Sequence, residues 1–241
     1  MTPRRAVILA GGLGTRVKHI LPGVPKPMAR VAGRPFLEWV IRFLARQGIE
    51  KIRISAGYLA PVISEFVEQT KIAGIDIGCI VEKKALGTAG GFLHAIRGEK
   101  KEEIPWLVCN GDSLVLADLD LLPSAFEDAS VQAAVLGIRV KDTSRYGTFQ
   151  LGPEGDLKCF SEKRSGSGLI NAGVYFLRGN LPAKFPTYRP LSFEMDVFPH
   201  LLAQGVKIQV CSVDTPFLDI GTEDTLNQAD EFITLHQGSF L

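Results

Sequence analysis

The sequence predicts an α/β fold, a mostly parallel sheet covered by helices, with a small β-rich lobe at one edge, and three observations carry that prediction. Apolar runs rich in Val and Ile alternate with segments of helical period, the order that builds successive βα units. A chain of 241 residues that is 46% hydrophobic can bury one large core and lies at the upper end of what one domain spans. The alternation is interrupted once, from Val140 to Gly179, by a hairpin-like stretch with turn signals at Pro153-Glu154-Gly155-Asp156 and Ser165-Gly166-Ser167-Gly168. We therefore expect one domain over residues 1–241, with about 140–180 forming the lobe.

Strands are expected at Ala6–Ala10, Lys51–Ala56, Asp76–Glu82, Trp106–Asn110 and Val131–Val140, and later near Gly147–Gly152, Lys158–Glu162, Ala172–Leu177 and Lys207–Val213. The helix over Pro35–Arg46 has the clearest signature. Phe36, Leu37, Val40, Ile41 and Leu44 share one face, Pro35 stands near its start and Gly48 follows its end. Helical period also covers Ala60–Gln69, Ala89–Arg97, Glu194–Ala203 and Glu223–His236. There is no internal repeat, low-complexity segment or disordered tail.

Composition narrows the function. The 27 Lys and Arg residues against 26 Asp and Glu leave a net charge of +1, so no global field favours nucleic acid or an anionic membrane. Cys79, Cys109, Cys159 and Cys211 lie far apart in apolar runs without CxxC or Cys/His spacing, and are expected as reduced core residues. Arg4 and Arg5 precede an apolar run, but Gly11 and Gly12 end it too early for a secretory leader, which points to the cytoplasm.

The stretch AVILAGGLGTR (Ala6–Arg16) carries the first chemistry. A strand running straight into Gly11, Gly12 and Gly14 lets backbone N–H groups approach a phosphate closely. Two familiar phosphate loops fail to match: GxxxxGK[ST] is absent, and Gly12-Leu13-Gly14 lacks the third glycine of a dinucleotide fingerprint. A helix does not follow either, because Leu21–Pro27 is broken by prolines. Most glycine-rich turns are merely tight strand exits. Here Thr15, Arg16 and Lys26 add three phosphate-binding groups in one proline-stiffened loop.

AGGLGTR (Ala10–Arg16) followed by PKPM (Pro25–Met28) resembles the sugar-phosphate nucleotidyltransferases. The resemblance implies their Rossmann-like nucleotide-diphospho-sugar transferase fold, with the lobe binding sugar. It also implies that Leu9, Gly11, Gly12, Gly14 and Thr15 contact a nucleoside triphosphate, with Arg16 facing the leaving pyrophosphate and Lys26 near the reacting phosphates. Val17 stands where the family usually has leucine.

The remaining motifs fall in the family's order. EKKALGTAGG (Glu82–Gly91) resembles its base-binding turn, placing Glu82, Gly87 and Thr88 at the nucleobase; a carboxylate accepts only, so it suits a base edge that donates, as guanine's does, although thymine and uracil also carry a ring N–H. VCNGDSL (Val108–Leu114) sets Asp112 just past an apolar strand, and FLDIGT (Phe217–Thr222) sets Asp219 at another strand end, before a helix that Thr222 could cap with Glu223 close behind. Mg²⁺ takes one or two protein carboxylates and leaves its other positions to water and phosphates; the resemblance makes Asp112 and Asp219 its ligands. RYGTF (Arg145–Phe149), SEKR (Ser161–Arg164), INAGVY (Ile170–Tyr175) and SFEMDVFP (Ser192–Pro199) match the family's sugar pocket. Asn110, Gly147, Glu162, Asn171 and Glu194 are thereby expected around the sugar, with Lys163 as a catalytic residue on its phosphate. Taken alone, Glu162-Lys163 would be a solvated pair. Many relatives have proline after that pair, where this chain has Arg164 and a Ser-Gly-rich loop.

No Ser/His/Asp or Cys/His arrangement is present, and His19, His94, His200 and His236 have no partner pattern. A nucleotidyl transfer needs neither, because a phosphate monoester with a second pKa of about 6 is already a nucleophile at neutral pH. What it needs is alignment of two anions and cancellation of their repulsion. Within the family, GGLGTR, VPKPMARVAGRPFLEWVIRFLARQGI and EKKALGTAGG are most similar to guanylyltransferases acting on D-glycero-α-D-manno-heptose 1-phosphate, which serve bacterial capsule, surface-layer or lipopolysaccharide synthesis. The same reaction with another hexose 1-phosphate, or with UTP, CTP or dTTP, stays open. So does a non-catalytic nucleotide-binding regulatory subunit, although such a chain need not keep Arg16, Lys26, Asp112, Lys163 and Asp219 together. The match leaves no room for the β-helix acyltransferase module of some relatives, so a stand-alone transferase, dimeric by resemblance, is expected.

Overall fold

Successive residues of a buried strand face opposite sides of its sheet, so a strand that is apolar throughout predicts helices on both faces. The computed structural model, which describes residues 4–99, 104–161 and 166–240, has this arrangement. The first strand, β1 (Arg5–Ala10), sends Ala6, Ile8 and Ala10 into one apolar cluster and Val7 into a second on the other face.

The chain then forms a two-residue hairpin, β2 (Arg30–Val31) with β3 (Arg34–Pro35), and enters helix α1 (Phe36–Arg46), followed by β4 (Lys51–Ala56), α2 (Ala60–Gln69), β5 (Asp76–Val81), α3 (Thr88–Ala95) and β6 (Trp106–Asn110). Strand β7 (Ser113–Val115), short helix α4 (Leu121–Ser124), long β8 (Val131–Val140), β9 (Thr148–Leu151), β10 (Leu157–Ser161) and β11 (Gly168–Leu177) come next. The chain ends with α5 (Phe198–Ala203), β12 (Lys207–Val213), β13 (Phe217–Asp219), α6 (Glu223–Asn227) and α7 (Ala229–Leu235).

Nine of these strands form one sheet, ordered β10-β9-β11-β6-β1-β4-β5, with β8 on β11 and β12 on β8. Strands β5, β4, β1 and β6 are parallel neighbours. β11 runs antiparallel to both β6 and β8, and β12 is parallel to β8, so β8 and β12 share the direction of the first four. The expected mostly parallel sheet is thus present, with β11 reversed inside it. β9 and β10 pair antiparallel and join β11 through Ile170 and Thr148, which makes the expected β-rich lobe an extension of the main sheet.

Each face takes its own helices. α1, α2 and α7 cover the Ala6/Ile8 face, and all five expected face residues of α1 are buried, together with Trp39 and Phe43. Phe240 packs edge-on to Trp39 and Phe43, fastening the C-terminal segment to α1. α3 and α5 cover the Val7 face, where Phe92, Tyr175, Phe193 and Phe198 form an aromatic cluster.

Several boundaries move. The helix expected over Glu194–Ala203 is a π-helical turn, Phe193–Val197, leading into α5, and that over Glu223–His236 breaks at Gln228 into α6 and α7. The strand expected at Ala172–Leu177 begins at Gly168, because its first half pairs with the end of β8. All four cysteines are free as expected, but only Cys109 is fully buried; Cys79, Cys159 and Cys211 are half-buried.

Candidate active site

The chain builds β1, β4 and β5 outward on one side of β1, then returns through α3 to lay β6 on the other side. This is a topological switch point, and ligands of open α/β sheets collect outside the strands' carboxyl ends there. The glycine-rich segment leaves β1 at this point. Gly14 takes a φ of +59° and turns the chain so that Val17 N–H donates to Gly14 C=O at 3.1 Å. Val17, 1% exposed, is the apolar anchor of the loop. Leu9, Gly12, Gly14, Thr15, Arg16, Lys26 and Asp112 line one concavity. A second, sharing Leu9, Gly12 and Asp112, continues past Gly11, Glu82, Gly87, Thr88 and Asn110. All the residues expected around a triphosphate and its base therefore meet in one continuous cleft.

Lys26 opens a short turn held by buried Pro25 and Pro27, and its Nζ pairs with Asp112 Oδ2. Asp112 and Asp219, far apart in sequence, are joined by the β7–β13 ladder: Asp219 lies opposite Ser113, and Ile220 N–H donates to the Asp112 C=O at 3.0 Å. Asp219 Oδ1 accepts from Gly221 N–H at 2.7 Å, and the Arg145 guanidinium lies 3.5 Å from it. Burial, and then the negative charge of Asp112, push the Asp219 carboxyl above its usual range, against the opposing pull of Lys26 and Arg145. Two carboxylates crowded in this way, with oxygen donors only, suit a hard divalent cation. No group of three or more His, Cys, Asp or Glu gathers around a metal position among the described residues, so such an ion would complete its shell with water and phosphate oxygens.

Glu82 follows β5, and both its oxygens are engaged. Oε1 accepts from Ser55 Oγ at 2.8 Å, and Oε2 from Leu86 N–H at 3.1 Å. The carboxylate reaches this place because Gly11 has no side chain: a Cβ there would stand 2.8 Å from Oε1. Glu82 lines the second concavity, and these two donors leave acceptor capacity unused, since an ionised carboxylate offers about four lone-pair sites.

Behind Thr88, Glu194 ties α3 to β11. Its Oε1 accepts from Tyr175 OH at 2.6 Å and from Asn171 Nδ2 at 3.5 Å; its Oε2 accepts from Ser192 Oγ at 2.8 Å and Thr88 Oγ1 at 3.4 Å. Thr88 Oγ1 also accepts from Phe193 N–H at 2.9 Å, so its hydroxyl joins α3 to the π-helical turn. Asn171 N–H donates to Gly147 C=O, which brings Gly147 to the same network. Between Asn171 and Tyr175 the β11–β8 register shifts, and Gly173 takes a φ of +71° in the bulge. A Cβ there would collide with the Asn110 amide, so the bulge makes room for Asn110 on the wall of the second concavity. Glu162 and Lys163 lie outside the described residues.

Sequence reasoning missed Ser55, Tyr175, Ser192 and Arg145 as site residues. Arg145 stacks its guanidinium 5.4 Å from the Tyr146 ring while reaching Asp219, and its buried Nε finds no acceptor among the described residues. The RYGTF motif contained it, but only the fold brings β13 beside that loop. The histidines stay outside the cleft chemistry: His19 faces Glu223 and His200 faces Gln204 at the surface.

The sequence model described as Nucleotidyl transferase matches residues 5–235. A D-glycero-α-D-manno-heptose 1-phosphate guanylyltransferase of Campylobacter jejuni is 34% identical, over 91% of this chain and 96% of that protein, and one of Aneurinibacillus thermoaerophilus is 31% identical, over 94% and 96%. The crystal structure of HddC from Yersinia pseudotuberculosis complexed with GMP-PN superposes with a TM-score of 0.83 at 29% identity, covering 95% of this chain and 98% of that one. With its mostly parallel sheet, its glycine-rich loop at the end of β1 and this match over nearly its whole length, the chain belongs to the nucleotidyl transferase family.

Proposed function

We propose that this protein transfers the guanylyl group of GTP to D-glycero-α-D-manno-heptose 1-phosphate, giving GDP-heptose and pyrophosphate, with Mg²⁺ as the metal. The observation that carries the reading is the gathering of Arg16, Lys26, Asp112 and Asp219 beside the Glu82 turn at the carboxyl ends of β1, β5 and β6. Similarity over most of the chain to two heptose 1-phosphate guanylyltransferases supports the choice of base and sugar.

In this reading a phosphate oxygen of the sugar 1-phosphate attacks the α-phosphorus of GTP. The new P–O bond forms as the bond to the β-phosphate breaks, and pyrophosphate leaves. The nucleophile needs no protein base, since the monoester is largely dianionic near neutral pH. The protein's work is positioning and charge cancellation. The backbone of Gly11–Thr15 cradles the phosphates, Arg16 faces the departing pyrophosphate, and Lys26 sits by the reacting centre. Asp112 and Asp219 would hold the divalent cation, which supplies charge neutralisation on phosphate oxygens when bound. Glu82 accepts from the guanine edge. Gly147, Glu162, Asn171 and Glu194 shape the sugar side, with Asn110 on the cleft wall and Lys163 on the sugar phosphate.

Incubation of the protein with Mg²⁺, GTP and the heptose 1-phosphate, followed by phosphorus NMR, tests the reading. We expect free pyrophosphate together with the coupled doublets of a nucleoside diphosphate diester. Unchanged GTP and sugar phosphate at long incubation would overturn it.

A further inference from the structure

Ser55 is one of the few polar residues in the core, 0% exposed near the end of β4. A buried hydroxyl must find a partner, and this one has two acceptors in reach: Glu82 Oε1 at 2.8 Å and Gly91 C=O at 3.1 Å. It has one proton to give. The ionised carboxylate is the nearer and stronger acceptor, so Glu82 takes it. Leu86 N–H holds the other oxygen from the opposite side, and Oε1 is seated between two glycines: a Cβ on Gly11 would come within 2.8 Å of it and one on Gly91 within 2.7 Å. The carboxylate cannot rotate without leaving both donors and meeting one of these backbones.

We infer that Ser55 is the positioning residue for base choice: by pinning the plane of Glu82 it presents two acceptors at fixed spacing to the cleft that Gly87, Thr88 and Asn110 share. A pinned carboxylate discriminates where a rotating one only attracts. Guanine offers two adjacent donors, its ring N–H and exocyclic amine, and gains both contacts as a bidentate pair. Uracil and thymine offer one ring N–H on that edge. Hypoxanthine keeps guanine's ring N–H and lacks the amine, so it isolates the second contact. The inference rests on the guanine reading of the cleft, and equilibrium binding tests it without reference to the sugar.

The experiment is calorimetric titration of GTP, ITP and UTP into the wild-type protein, Ser55→Ala and Ser55→Cys, with each variant's fold checked by thermal melting. Cysteine is close to serine in volume and a poor donor, so it reports the same loss should the alanine variant fail to fold. Wild type should bind GTP about tenfold more tightly than ITP, the size of one such hydrogen bond. In both variants that ratio should fall to within about twofold, because Oε1 is no longer held. A residue that only packs would weaken GTP and ITP alike and leave the ratio intact. A wild-type preference for GTP that both variants retain overturns the assignment to Ser55 alone. Wild-type protein that binds GTP no better than ITP, yet better than UTP, overturns this inference and leaves the guanine reading in place; wild-type protein that binds GTP no better than UTP overturns the guanine reading and this inference with it.

Discussion

Asp112 pairs with Lys26 and, one residue before β7, bonds through its carbonyl to Ile220, next to Asp219, so three charged groups lie close together at the cleft. Replacing Asp112 with alanine should reduce divalent-dependent turnover by roughly 10²-fold or more while leaving the thermal transition in place, because the residue lies in the turn between β6 and β7 and is not part of the apolar core. Near-normal activity would remove it from the metal site. Glu194 is a different kind of residue: its two oxygens accept from four side chains belonging to three elements. Glu194→Ala should destabilise the fold by about 1–3 kcal/mol, since it leaves the buried Tyr175 O–H, which still accepts from Asn171 Nδ2 at 2.9 Å, without an acceptor, and should raise the KM for the sugar phosphate by displacing Asn171. Denaturant unfolding and initial-rate kinetics measure the two effects separately. Asp112, Asp219 and Lys26 were legible in the sequence because strand ends and proline-stiffened loops mark them locally. Ser55 and Tyr175 were not, because each reads as one more strand residue until the fold sets its hydroxyl against a carboxylate 27 or 19 residues away.

At the scale of elements, local pattern located the strands and helices and missed what tertiary contacts impose on them. The reversed strand β11 was expected to begin at Ala172; its bulge at Gly173 lets a longer strand serve β6 with one half and β9 with the other. The last helix was read as continuous, yet the chain turns at Gln228 so that Ala229 and Ile233 reach the core. Thr222 does cap α6 as expected, and Thr225 completes a capping box with it. Cys109 in β6 gives the sheet a pH signature. Burial pushes its thiol from the ordinary 9.0 up to about 12. The unfolded chain therefore releases this proton at lower pH than the folded one, so the stability the thiol contributes is whole below pH 9 and is lost as pH rises toward 12. The loss amounts to roughly 1.4 kcal/mol per pH unit in that window. Unfolding measured between pH 8 and 11 should fall less steeply for Cys109→Ala than for wild type; equal slopes would show that the thiol does not couple to folding.

Across the whole molecule, the direction of the strands does the assembling. β1, β4, β5 and β6 end on one edge, and the loops leaving three of them carry Gly11–Arg16, Glu82 and Asp112 into a single cleft. The reversed β11 carries Asn171, and the π-helical turn carries Glu194, into a shared network behind Thr88. The α/β class and this gathering follow from alternating apolar runs and helical segments, which is why the fold was legible before any coordinates. The region around Asn171 and Glu194 was only partly so, because it is built from a hairpin and a bulge whose register depends on pairing between strands distant in sequence. No described helix is long and apolar enough to cross a membrane. Guanylyl transfer to a heptose 1-phosphate is measured as pyrophosphate release with Mg²⁺ across GTP, UTP, CTP, dTTP and ATP, each paired with heptose, mannose and glucose 1-phosphates. Release should be confined to GTP with the heptose 1-phosphate. Equal or faster release with another base or another sugar, or none with any pair while GTP still binds, would rule that reaction out.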